Sequence, residues 1–397
     1  MRTFGRLTRR RTARVQRIAT IVLLLGLVAH EAIAQQPGGQ IAYTIGSLDF
    51  SEVRLRASDG TDRGLYPDIR VRVPADFGVP GNTVTASVAS LGMPVWSKDR
   101  RLIVANALLA PKEATGFDQA LINDISTPGK ILVVFDPQTG QGDAVFDMTP
   151  GTQSPVSLYA IDAAFSPDGN RLVYSSLQTN FIQYGIINRD GTGNVPLFAT
   201  NLTEQALGIG VDWSPRTDAS GNFGNLLVVS YPLPVNTCIG TPTTAAGLVL
   251  VGVGSPMTAQ VLTRPPGPCG WDFLSWHDRS PVFSPDGTQI AFVRSAQDSQ
   301  GIVVGSAIMV INRNGSFGGE RYLAYFPGNM IQHLSWSPDS GQPGVVSRVM
   351  FDVTQVYFGG LTSSLGIRTV TVPASGAGVV SPVAGFGPQV FAPAWGQ

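Results

Sequence analysis

The sequence predicts an all-β fold: a six-bladed β-propeller of four-stranded antiparallel blades, closed by N- and C-terminal strands that share one blade. Three observations predict it. One phrase recurs along the chain, an aromatic residue, then serine, then a Pro-Asp turn, then an apolar strand. A second series of turns alternates with the first. The last copy of the phrase breaks off at Trp395, and its missing strand is found near residue 40. Self-similarity of this kind marks a repeat architecture.

In chain order, the first 34 residues are predicted to lie outside the fold. Seven arginines (Arg2, Arg6, Arg9, Arg10, Arg11, Arg14, Arg17) precede an apolar run from Ile18 to Ala29, and Ala32-Ile33-Ala34 before Gln35 forms a small-x-small cleavage site. That order is the order of an export signal. The run has twelve residues, against the roughly 20 that a membrane-spanning helix needs. The expected organisation is a signal peptide over 1–34 and one propeller domain over 35–397. The protein is then periplasmic or secreted, with no stable membrane insertion after cleavage. Losing the signal removes seven arginines and one glutamate from a chain with 27 basic and 27 acidic residues, leaving six negative charges in excess. No basic patch remains for nucleic acid or anionic lipid.

The inner turns follow at Trp96-Ser97-Lys98-Asp99, Phe165-Ser166-Pro167-Asp168-Gly169, Trp213-Ser214-Pro215, Phe283-Ser284-Pro285-Asp286-Gly287 and Trp336-Ser337-Pro338-Asp339. Ser-Pro-Asp-Gly favours a type I turn, because Pro presets φ and Gly accepts left-handed geometry at the end. The aromatic before the turn and the β-branched run after it then pair as a hairpin. The outer turns are Arg56–Gly60, Phe135–Gly140, Asn188–Gly191, Gly254–Pro256, Asn312–Gly315 and Pro373–Gly376. Two hairpins per unit make a four-stranded meander, the blade of a propeller. Gly39-Gln40-Ile41-Ala42-Tyr43 matches Thr288-Gln289-Ile290-Ala291-Phe292, so the first strand supplies what Trp395 lacks. Closure of this kind removes exposed sheet edges.

The phrase at 165–169 and 283–287 resembles the WD40-like Pro-Asp repeat of the TolB family, and the resemblance runs from about Gly39 to Gln397. Similar blades occur in prolyl-oligopeptidase-type propellers. The turn at Trp96 lacks both Pro and Gly, and those at Trp213 and Trp336 carry insertions. TolB-like proteins carry an α/β domain ahead of the propeller, which is not expected here, so its role is not implied. What the resemblance does imply is a propeller that grips a protein partner.

In a meander the hairpin turns lie on one face of the disc and the remaining connections on the other. That second face is expected to receive the long segments 67–93, 107–130, 147–161, 231–246, 265–281 and 354–366, and binding residues gather on loops held by a rigid scaffold. Asp162 and His333 each stand three residues before an inner aromatic. Both are expected at the channel mouth, holding a cation or a ligand carboxylate, or lining the channel as ordinary polar groups. His277 is expected on a solvated loop beside Trp276, Asp278 and Arg279, and is the third candidate for partner binding. Cys238 and Cys269 are the only cysteines. Export favours a disulfide between them, worth roughly 3–4 kcal/mol for a loop of about 31 residues; the alternative is two free thiols.

No metal site, cofactor or catalytic set is expected. Asn188-Arg189-Asp190-Gly191 lacks the spacing of a calcium loop, Gly-x-Ser-x-Gly is absent, and neither His277 nor His333 has a triad context. The expected function is an exported, monomeric, non-catalytic binding module for an envelope or extracellular protein or peptide. The alternative is a propeller enzyme, a lyase or hydrolase, acting on a carbohydrate or small molecule in the channel.

Overall fold

The computed structural model describes residues 40–395 apart from 47–50, 58–61, 66–68, 75–82, 110–130, 146–159, 178–180, 202–209, 216–224, 237–241, 255–256, 268–273, 316–317, 341–344, 357–361, 384–385 and 387–389. The signal segment, Cys238 and Cys269 lie outside the described residues.

Six sheets, antiparallel but for one pairing in the second, follow one another around a ring. The first blade holds β1 (Gln40–Gly46), β2 (Ser51–Ala57) and β3 (Asp62–Leu65). The second holds β4 (Arg70–Pro74), β5 (Thr83–Trp96), β6 (Ile103–Leu109), β7 (Ile131–Phe135) and β8 (Gln141–Ala144). The third runs through β9 (Ala160–Phe165), β10 (Arg171–Leu177), β11 (Phe181–Asn188) and β12 (Val195–Asn201). The fourth has β13 (Val211–Trp213), β14 (Leu226–Asn236), β15 (Pro242–Gly252) and β16 (Thr258–Val261). The fifth has β17 (Ser275–Phe283), β18 (Gln289–Gln297), β19 (Val303–Asn312) and β20 (Arg321–Pro327). In the sixth, β21 (Asn329–Met330) and β22 (Leu334–Trp336) both pair with β23 (Arg348–Val356), followed by β24 (Thr362–Thr371) and β25 (Val380–Pro382). Finally β26 (Val390–Trp395) pairs antiparallel with β1, Trp395 opposite Ile41, and becomes the innermost strand of the first blade.

The recurring phrase performs two tasks, the first of them in the copies that carry both serine and aspartate. Its serine and aspartate brace the turn: Ser166 Oγ donates to Asp168 at 2.5 Å and accepts from Arg171 N–H at 2.9 Å, and Ser284 makes the same pair with Asp286 and Gln289 at 2.6 and 2.9 Å. Its aromatic fills the seam with the preceding blade. Six apolar clusters form, one per seam, and Trp96, Phe165, Trp213, Phe283, Trp336 and Trp395 each belong to a different one. Burial at these seams is what holds blade to blade.

The blades depart from the plain meander in two places. Blade two curls into a small closed barrel, because β4 pairs antiparallel with the front half of β5 and parallel with β8. Much of the segment 67–93, expected as a connection, is therefore strand. Gly142 permits this packing, since a Cβ there would lie 2.3 Å from Val134 O. The second departure is at the start of the inner strands. Met93, Ser280 and Ala392, each three residues before its aromatic, take φ of 54°, 50° and 48°, and the ladders shift register beside them. Such bulges bend a strand and re-aim its side chains.

Candidate functional site

The six inner strands β26, β5, β9, β13, β17 and β22 line the axis of the ring, and polar residues on several of them tie one blade to the next. Asp162 Oδ2 of blade three accepts Val211 N–H of blade four at 3.0 Å. Asp212 Oδ2 of blade four accepts Phe283 N–H of blade five at 2.8 Å. Ser335 Oγ of blade six accepts Trp395 N–H of blade one at 2.8 Å. A second tie comes from the strand outside. Thr44, Asn106, Ser175, Ser230 and Asp352 occupy one register position, three residues after the partner of the inner aromatic, and all are buried. From that position Thr44 Oγ1 accepts Met93 N–H at 3.1 Å and Asp352 Oδ2 accepts Ala392 N–H at 3.2 Å.

The turn end of the axis is bridged. Lys98 stands where other inner turns carry Pro167, Pro285 and Pro338, and its Nζ reaches from blade two to Asp212 Oδ1 of blade four at 2.7 Å. The two side chains keep 18% and 8% of their exposure. Arg100, where Gly169 and Gly287 stand in their turns, is lowered from its ordinary value by burial and opposed in this by the charge of Asp339 in blade six. The missing Pro and Gly of this turn thus give two cations set over the axis.

At the other end, towards the connections between blades, lie Asp162, His333, Asp352 and Arg279. Asp352 is saturated: Oδ1 accepts Gln332 and His333 N–H at 3.1 and 3.0 Å, while Oδ2 meets His333 Nδ1 at 2.7 Å in addition to Ala392 N–H. Burial works against its charge, but His333 and the hydrogen bonds hold its carboxyl below the ordinary value. Burial likewise works against charge on His333, yet Asp352 and then Asp162 hold the imidazole above its ordinary value. Burial pushes Asp162 up to about 6, against the pull of Val211 N–H and His333. Blades three and six are opposite in a ring of six, so Asp162 and His333 influence one another across the axis. Arg279 Nε and Nη2 both donate to Ser295 Oγ, at 3.0 and 2.6 Å, and burial pushes the guanidinium down to about 10.

The structure therefore brings Asp162 and His333 together at one end of the axis. It separates His277 from them in character. His277 stands on β17, 1% exposed, where a solvated loop was expected. Its Nδ1 accepts Ala246 N–H at 3.2 Å, and burial pushes its value down to about 4, so it is neutral. A side chain so enclosed does not meet a partner, and the reason is local: 275–281 is strand, not connection. Its neighbour Asp278 is equally structural, clamped by both arms of Arg294 at 2.7 and 2.9 Å and by Thr263 Oγ1 at 2.6 Å. Among the described residues no group of three or more His, Cys, Asp or Glu is placed to hold a metal ion.

Four residues of this axis were not singled out from sequence: Lys98, Asp212, Arg279 and Asp352. A signal exists for Asp352, since every copy of the apolar strand after the inner turn places a residue at the same offset, and only here is it a carboxylate. For Lys98 the signal is its substitution for proline. Arg279 and Asp212 carry none.

No family model and no curated protein matches the chain. Among solved structures, TolB from Acinetobacter baumannii is similar at 14% identity, covering 93% of this chain and 70% of that one, with a TM-score of 0.47. A nidogen/laminin complex is similar at 8% identity over 91% and 99% of the two chains, TM-score 0.46. An oligogalacturonate lyase in complex with manganese is similar at 10% identity over 83% and 85%, TM-score 0.37. The chain is a six-bladed propeller with distant structural similarity to the TolB propeller domain.

Proposed function

We propose that this protein is an exported, non-catalytic binding module that engages an envelope or extracellular protein or peptide through the face bearing the connections between blades and the channel mouth on that face. One observation carries the reading, the asymmetry of the axis. The turn end is bridged by Lys98 and Asp212, whereas at the opposite end the His333 side chain keeps 22% exposure. At the channel mouth a partner therefore meets an imidazole that reaches solvent on the connection-bearing face, and an ion pair already closed on the other. The test compares capture of proteins from the cell envelope by wild type and by two pairs of variants. His333→Glu and Asp162→Lys should lose the captured species, while Asp190→Lys and Asn314→Lys, on exposed outer turns, should retain it. Loss confined to the outer-turn variants would reverse the assignment of faces.

A second reading, a propeller enzyme acting on a small molecule in the channel, is favoured by the Asp352–His333 pair. A carboxylate that fixes an imidazole through Nδ1 leaves Nε2 as an acid or base, and burial pushes Asp162 opposite up to about 6. It predicts turnover that disappears in His333→Gln while capture of a protein persists.

A further inference from the structure

We propose that Arg279 and His333 form a receptor for a single carboxylate group, borne by whatever enters the channel from the connection-bearing face. The inference deepens the binding reading above, and rests on it for the direction of approach. Arg279 is the starting point. Its Nε and Nη2 are both spent on Ser295 Oγ, and among the described residues no carboxylate lies within ion-pair distance of it and Nη1 has no hydrogen-bond partner. A guanidinium held by a neutral hydroxyl is a cation without a counter-ion at contact distance.

His333 supplies the second donor. Asp352 takes Nδ1 at 2.7 Å, which leaves Nε2 without a partner among the described residues on a side chain that still reaches solvent. The two donors belong to touching segments, because Ser280, next to Arg279, donates its hydroxyl to the carbonyl of Gln332, next to His333. Across the axis Asp162 faces His333.

The charges select the ligand. Arg279 and protonated His333 bring two positive charges; Asp352 and ionised Asp162 bring two negative ones. A dianion such as sulfate or phosphate meets two carboxylates and is disfavoured. A monoanion is accepted more readily, since protonation of Asp162 removes one opposing charge and converts it into a hydrogen-bond donor to the incoming carboxylate. A cation is opposed by Arg279.

The experiment uses the full exported chain and sodium acetate as the probe, with the His333 C2 proton followed by NMR and assigned through His333→Gln. Sodium sulfate, sodium chloride and methylammonium chloride are the controls at matched ionic strength. Acetate should shift the His333 signal saturably, with sulfate weaker and methylammonium without effect. Arg279→Gln should weaken acetate binding by about tenfold or more, the scale of a lost charge-assisted hydrogen bond. Asp162→Asn should tighten it, and this variant keeps the inference testable if Arg279→Gln does not fold. The inference is overturned if acetate gives no saturable shift, if methylammonium binds instead, or if Asp162→Asn weakens acetate binding. An acetate-blind protein whose His333→Glu variant still loses its captured partner would sink the carboxylate receptor and leave the binding reading standing.

Discussion

Arg100 shows at one residue how a repeat is bent to a local use. Its φ is 60°, close to the 69° and 70° of Gly169 and Gly287 at the same turn position. An L-residue there carries roughly 1–2 kcal/mol of steric cost that glycine does not. The neighbouring Lys98, in place of proline, is the residue that spans the axis to Asp212. Arg100→Gly is therefore expected to stabilise the fold by about 1 kcal/mol, offset in part by the greater freedom of glycine in the unfolded chain. The urea midpoint should rise with an unchanged slope. A fall would mean that the attraction between Arg100 and Asp339 outweighs the backbone cost. The turn itself was legible in sequence, because Ser, Pro, Asp and Gly each act on their own backbone within five residues. What the departures achieve was not: Lys98 and Asp212 are 114 residues apart, and no local pattern joins them.

Between elements, the deciding contact is the polar residue on a second strand that grips the next blade, as Thr44, Ser230 and Asp352 do. Asp352 is the one carboxylate in that position, and its companions Thr44, Asn106, Ser175 and Ser230 are neutral. Asp352→Ala leaves three amide N–H groups and an imidazole without their acceptor, at about 3–5 kcal/mol. Asp352→Thr copies what Thr44 does for Met93 and should cost markedly less. The pair also sets a pH window. His333 is raised above 6.5, so its share of stability is complete below 6.5 and fades as pH rises through its folded value. Asp352 is lowered below 3.8, so its share is complete above 3.8 and fades as pH falls through its folded value. The stability difference between wild type and Asp352→Thr should thus be widest between pH 3.8 and 6.5; a difference that grows above neutrality would show that the pair is not charged as described. Sequence periodicity placed the strands after each inner turn, since their apolar triplets are contiguous. It did not place β4 or the front half of β5, whose partners include β8, some 70 residues on from β4, nor His277, whose strand begins before the aromatic phrase that announces it.

For the molecule as a whole, closure by β26 is the step on which six blades depend. It was legible because both halves keep the pattern of an intact copy: Ile41 opposes Trp395 as Ile290 opposes Phe283. The strand binds both neighbours of blade one. Towards blade six, Ala392 N–H reaches Asp352, Trp395 N–H reaches Ser335, and the indole of Trp395 packs with Met350 and Ile367. Towards blade two, Ala394 O accepts the indole N–H of Trp96 at 3.2 Å, and Ala394 joins that seam's apolar cluster. Removing residues 391–397 strips the inner edge of β1, leaves its backbone groups unpaired and opens two seams at once. Trp395→Ala separates the parts of this effect: it removes the ring but keeps the strand, at about 3–5 kcal/mol. The truncated chain should lose more than that variant does, and should melt over a broader range, because blades no longer joined in a circle unfold less cooperatively. Thermal melts followed by circular dichroism decide it. If the truncated chain melts with the midpoint and width of wild type, the ring does not depend on β26. If it melts like Trp395→Ala, the indole alone accounts for closure and the backbone pairing adds nothing.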